Sequence, residues 1–524
     1  MFDLIVRGGT IYDGHGGTPY VGDIGVIGDK IVKIGNLSEE IARDEINANG
    51  LAVMPGFIDT HCHSDMMLLY DRQHANGIAQ GITTELLGQD GLSYAPLSHD
   101  KLVMYTKYLR GLNGYHKDIP LDFTTVSEFL EKFHKNVAPN VAYQVPHGAI
   151  RLEADSFLDR PLTGYAMDKA KDLMRQSFEE GAVAFSTGLS YYPCSYSDTD
   201  ELVELCSVCA EYDVPFVIHT RTVFRNEVFD PLWEAIEIAR RSGCKLHLSH
   251  FRTSPENAGQ AEKLMEPIEK AISEGISITL ETYPYYSGAG YAMFFIPSWV
   301  TEGGYEATLE RLADPSLREA ICEGIRNQPF PPDGTFTQLS KNEKYVGMDF
   351  KDVARERNQS VEDMLCDILL EEELDVGYFV NPTYDENIRN LMDKDFIYLL
   401  SRPYYMICTD AIPHGLKPHP RAFGTFPRFL RLAREHGMPL ETFANRAAAL
   451  PAKTFNLYKR GTIDEGSYAD IVIFDPDTVT DNATYKNPRV APTGIKHVII
   501  NGRISLYEEK VTGLFNGYAL KRGK

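Results

Sequence analysis

Four histidines and two aspartates stand at the ends of apolar runs along this chain: His61, His63, Asp90, His219, His250 and Asp410. Imidazole nitrogens and carboxylate oxygens are ligands of zinc and related divalent ions. His61 and His63 are i and i+2 in the run MPGFIDTHCH. On a strand both would face one way and reach one ion, while Cys62 between them turns to the other face as packing. His219 ends VPFVI and His250 ends KLHLS. One histidine after a strand is more often structural than a ligand, but two on successive strand ends with an HxH upstream reverse that expectation. His247, three residues before His250, is expected on the opposite face, as packing or as a support for the site. Asp410 follows YYMICT. An N-cap or turn would be its ordinary role. Beside a metal, it is a carboxylate that can take a proton from water whose pKa the ion has lowered toward 7. Asp90, in Gly88-Gln89-Asp90-Gly91, has turn chemistry as its ordinary reading and metal ligation as its functional one. Together these residues point to metal-assisted hydrolysis.

Such a set needs a scaffold that brings distant segments to one place. The middle of the chain supplies eight strand candidates, at 54–63, 82–88, 140–148, 182–188, 215–221, 245–250, 276–285 and 404–411. Helical patterns between most of them imply a parallel sheet. Eight βα units in series give an α/β fold, a (β/α)₈ TIM barrel, whose functional residues sit at the C-terminal ends of strands. The stretch between the seventh and eighth strands is too long for a loop and marks an insertion at about 288–400. Residues 1–54 are short strands with Gly-rich turns, and 456–524 resume that texture. Both ends are therefore expected to form one small β-sandwich domain, leaving 55–455 as the barrel.

Composition narrows the partners. A net charge of −22 leaves no basic surface for phosphates, which argues against nucleic acid. No apolar run reaches the roughly 18–20 residues of a membrane span, and the N-terminus lacks the apolar core of a signal peptide. The eight cysteines are scattered. Cys206 and Cys209 have redox-motif spacing but fall inside an amphipathic helical pattern, so they read as helix packing. A reduced, cytoplasmic protein acting on a small molecule is expected, with a homo-oligomer left open.

At these residues the chain resembles the amidohydrolase superfamily and, within it, the N-acyl-D-amino-acid deacylases (D-aminoacylases). The likeness runs through PGFIDTHCHSD, GITTELLGQDG, GAVAFSTGLSYYP, DTDELVEL, HLSHFR, ETYPYYSG, TDAIPHGLKPHPRAFGTFPRFL and RGTIDEGSYADIVIFDP, covering nearly the whole length. It implies one or two divalent ions, usually zinc, with His61, His63 and Asp410 at one position and His219 and His250 at the other. It implies Asp410 as general base and proton donor, and a substrate carboxylate held by Arg252, Tyr283 and Arg421. The chain departs from the family at three places. Gln89-Asp90-Gly91 replaces Asn-Cys-Gly, whose Cys is a metal ligand, so Asp90 becomes the expected ligand there. Arg252 replaces Lys, and Ala289 stands where a Ser is usual, with Tyr286 and Ser287 nearby. No lysine ends AVAFSTG, which disfavours a cyclic-amide hydrolase of the hydantoinase kind. A non-catalytic assembly protein is the rival from another class, and the complete set of ligand types argues against it.

Overall fold

The computed structural model of the chain describes residues 1–221 and 230–523. Its centre is an eight-stranded parallel sheet whose strands neighbour one another in chain order. They are β1 (Phe57–Asp59), β2 (Ile82–Leu87), β3 (Asn140–Pro146), β4 (Ala184–Gly188), β5 (Pro215–His219), β6 (Lys245–Leu248), β7 (Ile278–Thr282) and β8 (Tyr405–Ile407). These strands are buried almost throughout, as expected for parallel strands covered by helices. The sheet closes into a barrel just beyond the ends of β1 and β8. There Asp410 N donates to His61 O at 2.8 Å, and His63 N to Ala411 O at 2.8 Å. Further along the barrel Ile58, Leu86, Ala142, Val217 and Met406 pack with Phe455 and fill the interior with apolar side chains.

The run expected as one strand over 54–63 is divided. Met54 and Pro55 end strand Ala52–Pro55 of a different sheet, and β1 starts after Gly56. Gly56 N donates to Asp470 O at 2.8 Å, and any Cβ at Gly56 would strike Thr83, so glycine is the residue that lets the chain pass between the sheets. His61 and His63 lie past β1. The parallel bridge between Cys62 and Ala411 keeps this segment extended.

Both chain ends join one nine-stranded mixed sheet. Strand Ile471–Phe474 shows how it is held. Its alternate residues Ile471 and Ile473 pack with Leu4, Val6 and Ile24, while Val472 and Phe474 pack with Phe57, Phe426 and Phe429. One face thus serves the small sheet and the other grips the barrel. Between β7 and β8, strands Ala289–Tyr291, Thr335–Gln338 and Gly377–Phe379 form a third, small sheet. Helix Glu386–Ser401 then returns to the barrel's helical layer, packing on helices Ala261–Ser273 and Arg421–His436. The part of the expected 288–400 insertion that stands off the barrel therefore ends before Glu386. All eight cysteines are free and buried, Cys206 and Cys209 within helix Thr199–Glu211. No helix among the described residues is long and apolar enough to cross a membrane.

Candidate metal centre and active site

The six residues singled out by type and spacing converge at the C-terminal mouth of the barrel. His61 and His63 follow β1, Asp90 follows β2, His219 ends β5, His250 follows β6 and Asp410 follows β8. Asp90 is central. Its Oδ1 lies 3.6 Å from His61 Nε2, and its Oδ2 lies 3.6 Å from His63 Nε2 and 3.9 Å from His219 Nδ1. Asp410 Oδ1 lies 3.7 Å from His61 Nε2 and 3.6 Å from His63 Nε2. His219 Nδ1 and His250 Nε2 are 2.9 Å apart. Asp90, His250 and Asp410 all have positive φ, at 56°, 37° and 49°. Such backbone costs about 1–2 kcal/mol for a non-glycine residue, and three instances fall in this one cluster, held by its surroundings.

The donors fit a divalent cation. His61 Nδ1 donates to Glu281 Oε1 at 2.7 Å, so the neutral ring carries its lone pair on Nε2. That Nε2 and Asp90 Oδ1 are both buried, face each other and have no hydrogen-bond partner. A lone pair opposed to carboxylate oxygens calls for positive charge between them. The surrounding carboxylates favour a cation at this position. Burial disfavours charge on His61, yet Asp90 and Glu281 push its pKa well up. Burial likewise opposes ionisation of Asp90, but His61, His219 and His63 hold it well below the usual carboxylate range. Burial drives His250 down to about 3, which leaves its ring neutral. The atoms of His61, His63 and Asp410 lie within 4.8 Å of one another, as do those of His61, Asp90 and His250.

Asp90 does not behave as a turn aspartate. Its carboxylate bonds to none of the neighbouring backbone and points into the histidine cluster. Gly88 makes this possible: it has φ 83°, and a Cβ there would strike Gln144 O. Asp65 secures the same loop by accepting from Gly88 N at 2.9 Å and Ser93 Oγ at 2.5 Å.

The second half of the site is cationic and aromatic. Arg252 NH2 donates to Tyr283 Oη at 3.1 Å. The Arg252 and Arg421 guanidiniums lie 4.5 and 4.7 Å from the centre of the Tyr283 ring. Arg421, wholly buried, sits 2.7 Å from Asp410 Oδ2 and donates to Ala289 O at 3.3 Å. Tyr191 packs on His219 with ring centres 4.9 Å apart, and Tyr291 and Phe294 approach Tyr191 at 5.8 and 6.1 Å.

Sequence reasoning missed Glu281, and it set His247 on the wrong face while allowing it a supporting role. Glu281 is fully buried in β7; beyond its bond to His61 it accepts from Thr60 Oγ1 and lies 3.1 Å from His247 Nε2. His247, expected on the face opposite His250, thus reaches the barrel interior too. The two-residue alternation ends with β6 at Leu248, and His250 is turned inward by its own left-handed backbone. A glutamate inside the apolar strand ITLET was the available signal. Asp59 was missed as well: it accepts from Thr409 N and Oγ1, at 2.8 and 2.6 Å, and braces the segment that carries Asp410.

Comparison with known proteins agrees with this geometry. Residues 44–193 and 399–506 match the amidohydrolase family. The chain is 31% identical to D-aminoacylase of Alcaligenes xylosoxydans xylosoxydans over 99% of its length and 98% of the relative's. It is also 31% identical to N-acyl-D-glutamate deacylase of the same organism, over 95% of this chain and 93% of that one. Among solved structures it resembles N-acyl-D-glutamate deacylase from Bordetella bronchiseptica, complexed with zinc and a phosphonate inhibitor that mimics the tetrahedral intermediate. The TM-score there is 0.79, at 28% identity over 99% of both chains. A relative this similar across its whole length shows that the chain belongs to the D-aminoacylase family of the amidohydrolases.

Proposed function

We propose that this protein hydrolyses the amide bond of N-acyl-D-amino acids, releasing a carboxylate and a free D-amino acid. The observation that carries this reading is the convergence of His61, His63, Asp90, His219, His250 and Asp410 beside the Arg252–Tyr283–Arg421 group, in a chain that matches D-amino-acid deacylases end to end. Zinc, as one or two ions held by those four histidines and two aspartates, would supply a Lewis acid for the scissile carbonyl and lower the pKa of the attacking water.

The chain's own residues do the rest. Asp410 takes the proton of the attacking water and delivers it to the leaving nitrogen, so one carboxylate serves as base and then as acid. Burial favours its neutral form, but Arg421 and the neighbouring His63 hold its pKa well below the ordinary range, so it is ionised when substrate arrives. Arg252, Tyr283 and Arg421 bind the α-carboxylate, the guanidinium forks matching its two oxygens. Glu281 fixes the His61 ring and its tautomer. The barrel mouth is narrowed by Tyr191, Tyr291 and Phe294, an apolar wall for the acyl group or side chain. Residues 55–455 form the catalytic unit in this reading, and 1–54 with 456–524 form the small β domain. The eight free cysteines suit a reducing, cytoplasmic setting.

The test is a panel of N-acyl-D- and N-acyl-L-amino acids with chromatographic detection of the free amino acid. Release from the D series and not the L series is expected; hydrolysis confined to L substrates or to cyclic amides would refute the reading.

A further inference from the structure

Tyr485 belongs to the small sheet's side of the chain, in the connection between strands Ile471–Phe474 and Ile495–Ile500. It nevertheless reaches the barrel mouth, 198 residues along the chain from its hydrogen-bond partner Ser287. Its ring packs on His419 at 5.0 Å and on Phe379 at 5.3 Å. The connection is pinned there by Arg489, which donates to Gly415 O and, at 3.3 Å, to Leu416 O.

The hydrogen bonds fix which way every proton points. Arg421 N donates to His419 Nδ1 at 3.1 Å, and a backbone N–H can only donate. His419 therefore carries its proton on Nε2, which donates to Ser287 Oγ at 3.3 Å. The single hydroxyl proton of Ser287 then goes to Tyr485 Oη at 3.0 Å. With its oxygen already accepting, Tyr485 has its own O–H left over, and it donates to no acceptor among the described residues. This chain of donors ends beside the cationic half of the site. A Cβ on Gly288, the neighbour of Ser287, would lie 3.3 Å from Tyr283 Oη, the atom that Arg252 contacts.

We propose that Tyr485 is a substrate-binding residue supplied by the small domain, its O–H donating to the substrate's carboxylate alongside Arg252, Tyr283 and Arg421. The proposal rests on the reading of those three residues as the carboxylate anchor. A carboxylate there would accept the one donor the network leaves free. Burial raises the Tyr485 phenol above its ordinary value, so it stays protonated at neutral pH despite the nearby arginines.

The experiment compares N-acetyl-D-leucine with N-acetyl-D-leucinamide, which lacks the charge, on the wild-type enzyme and on Tyr485→Phe and Ser287→Ala. Affinity is read by calorimetry and, where turnover occurs, by KM and kcat. Tyr485→Phe keeps the ring that packs on His419 and Phe379. It is expected to weaken the acid about tenfold, the scale of one hydrogen bond to a charged group, and the amide, whose neutral carbonyl is the poorer acceptor, several-fold less. Ser287→Ala, which removes the donor that orients Tyr485, should shift the acid in the same direction by less, and it carries the test if the phenylalanine variant does not fold. Equal effects on acid and amide, no effect on either, or a wild-type protein that does not prefer the acid would overturn the proposal. A wild-type protein that binds the acid preferentially but cleaves no acylamino acid would leave Tyr485 in place and refute the proposed reaction instead.

Discussion

Arg421 and Asp410 form a buried ion pair, with NH1 of the arginine 2.7 Å from Oδ2 of the aspartate. In the proposed reaction these two residues have different partners: the arginine binds the substrate's carboxylate, and the aspartate handles a proton. While paired with Arg421, Asp410 is held well below the ordinary carboxylate range and is a weak base. A substrate carboxylate that draws the guanidinium away raises the basicity of Asp410 at the moment it is needed. Asp410→Asn keeps the shape and loses the base. It should lower kcat by roughly 10²-fold or more, the scale of general-base removal, with a much smaller change in KM. Steady-state kinetics on an N-acyl-D-amino acid checks this, and near-normal turnover would remove Asp410 from the chemistry.

Arg421→Met should raise KM and lower kcat/KM for acylamino acids. It also frees Asp410 from its partner, so for substrates without a carboxylate the loss should be far smaller. Comparing each acid with its amide separates these effects. An equal loss on both would make the arginine structural.

Glu281 holds the Nδ1 proton of His61. Glu281→Gln can still accept there through its carbonyl oxygen, but loses the charge. Partners of metal-bound histidines typically account for about 10–100-fold in metal affinity or activity, and a loss on that scale is expected. Competition with a chromogenic chelator measures it directly. Unchanged metal affinity together with a lowered melting temperature would mean that Glu281 only supports the fold.

Asp90 stands where the family resemblance implies a metal-binding thiolate. Asp90→Ala should lower both metal content and activity, and Asp90→Cys should retain zinc. Asp90→Asn tolerates the left-handed backbone at φ 56° but loses the negative charge, so it should bind metal more weakly. As a harder ligand than sulfur, the native carboxylate should accept manganese better than the Cys variant does. Elemental analysis of the dialysed variants decides: full metal load and activity in both the Asn and Ala variants would reduce Asp90 to a turn residue.

Much of this site was legible because its residues interrupt strong patterns. His219 and His250 stand at the ends of apolar strands, and Asp410 follows another, so the period-two signal ran out where the chemistry began. Asp90 was legible as a departure from relatives, and its central place among His61, His63 and His219 is a matter of geometry that spacing does not encode. The barrel order could be read from alternating strands and helices. The passage of residues 52–59 between two sheets could not, because nothing in MPGFID distinguishes one strand from two joined at Gly56. Glu281 and His247 were hidden for a different reason. Each lies inside a strand, where a polar residue is usually read as pointing outward, and only barrel closure brings His247 to Glu281 and Glu281 to His61. Tyr485 and His419 come together across distant segments that no local pattern connects.

The apolar wall offers a prediction about specificity. Phe295 packs into the insert, on Tyr378 at 4.9 Å and on Phe350 at 6.2 Å. Tyr291 and Phe294 face Tyr191 beside His219. Substrates with apolar side chains should therefore be preferred over N-acyl-D-glutamate and N-acyl-D-aspartate, whose second carboxylate would be buried without a partner. Relative kcat/KM values across such a series give the answer, and a clear preference for the acidic substrates would exclude the wall as a side-chain pocket.

The central claim is that the histidine and aspartate cluster is a metal site that carries out amide hydrolysis. Its most direct test is a titration of zinc into chelator-stripped protein, following both bound metal and release of the amino acid from an N-acyl-D-amino acid. The account predicts no hydrolysis in the stripped protein and a rise in activity that tracks the occupied sites up to one or two ions per chain. Full hydrolysis by protein verified to be free of metal would contradict it.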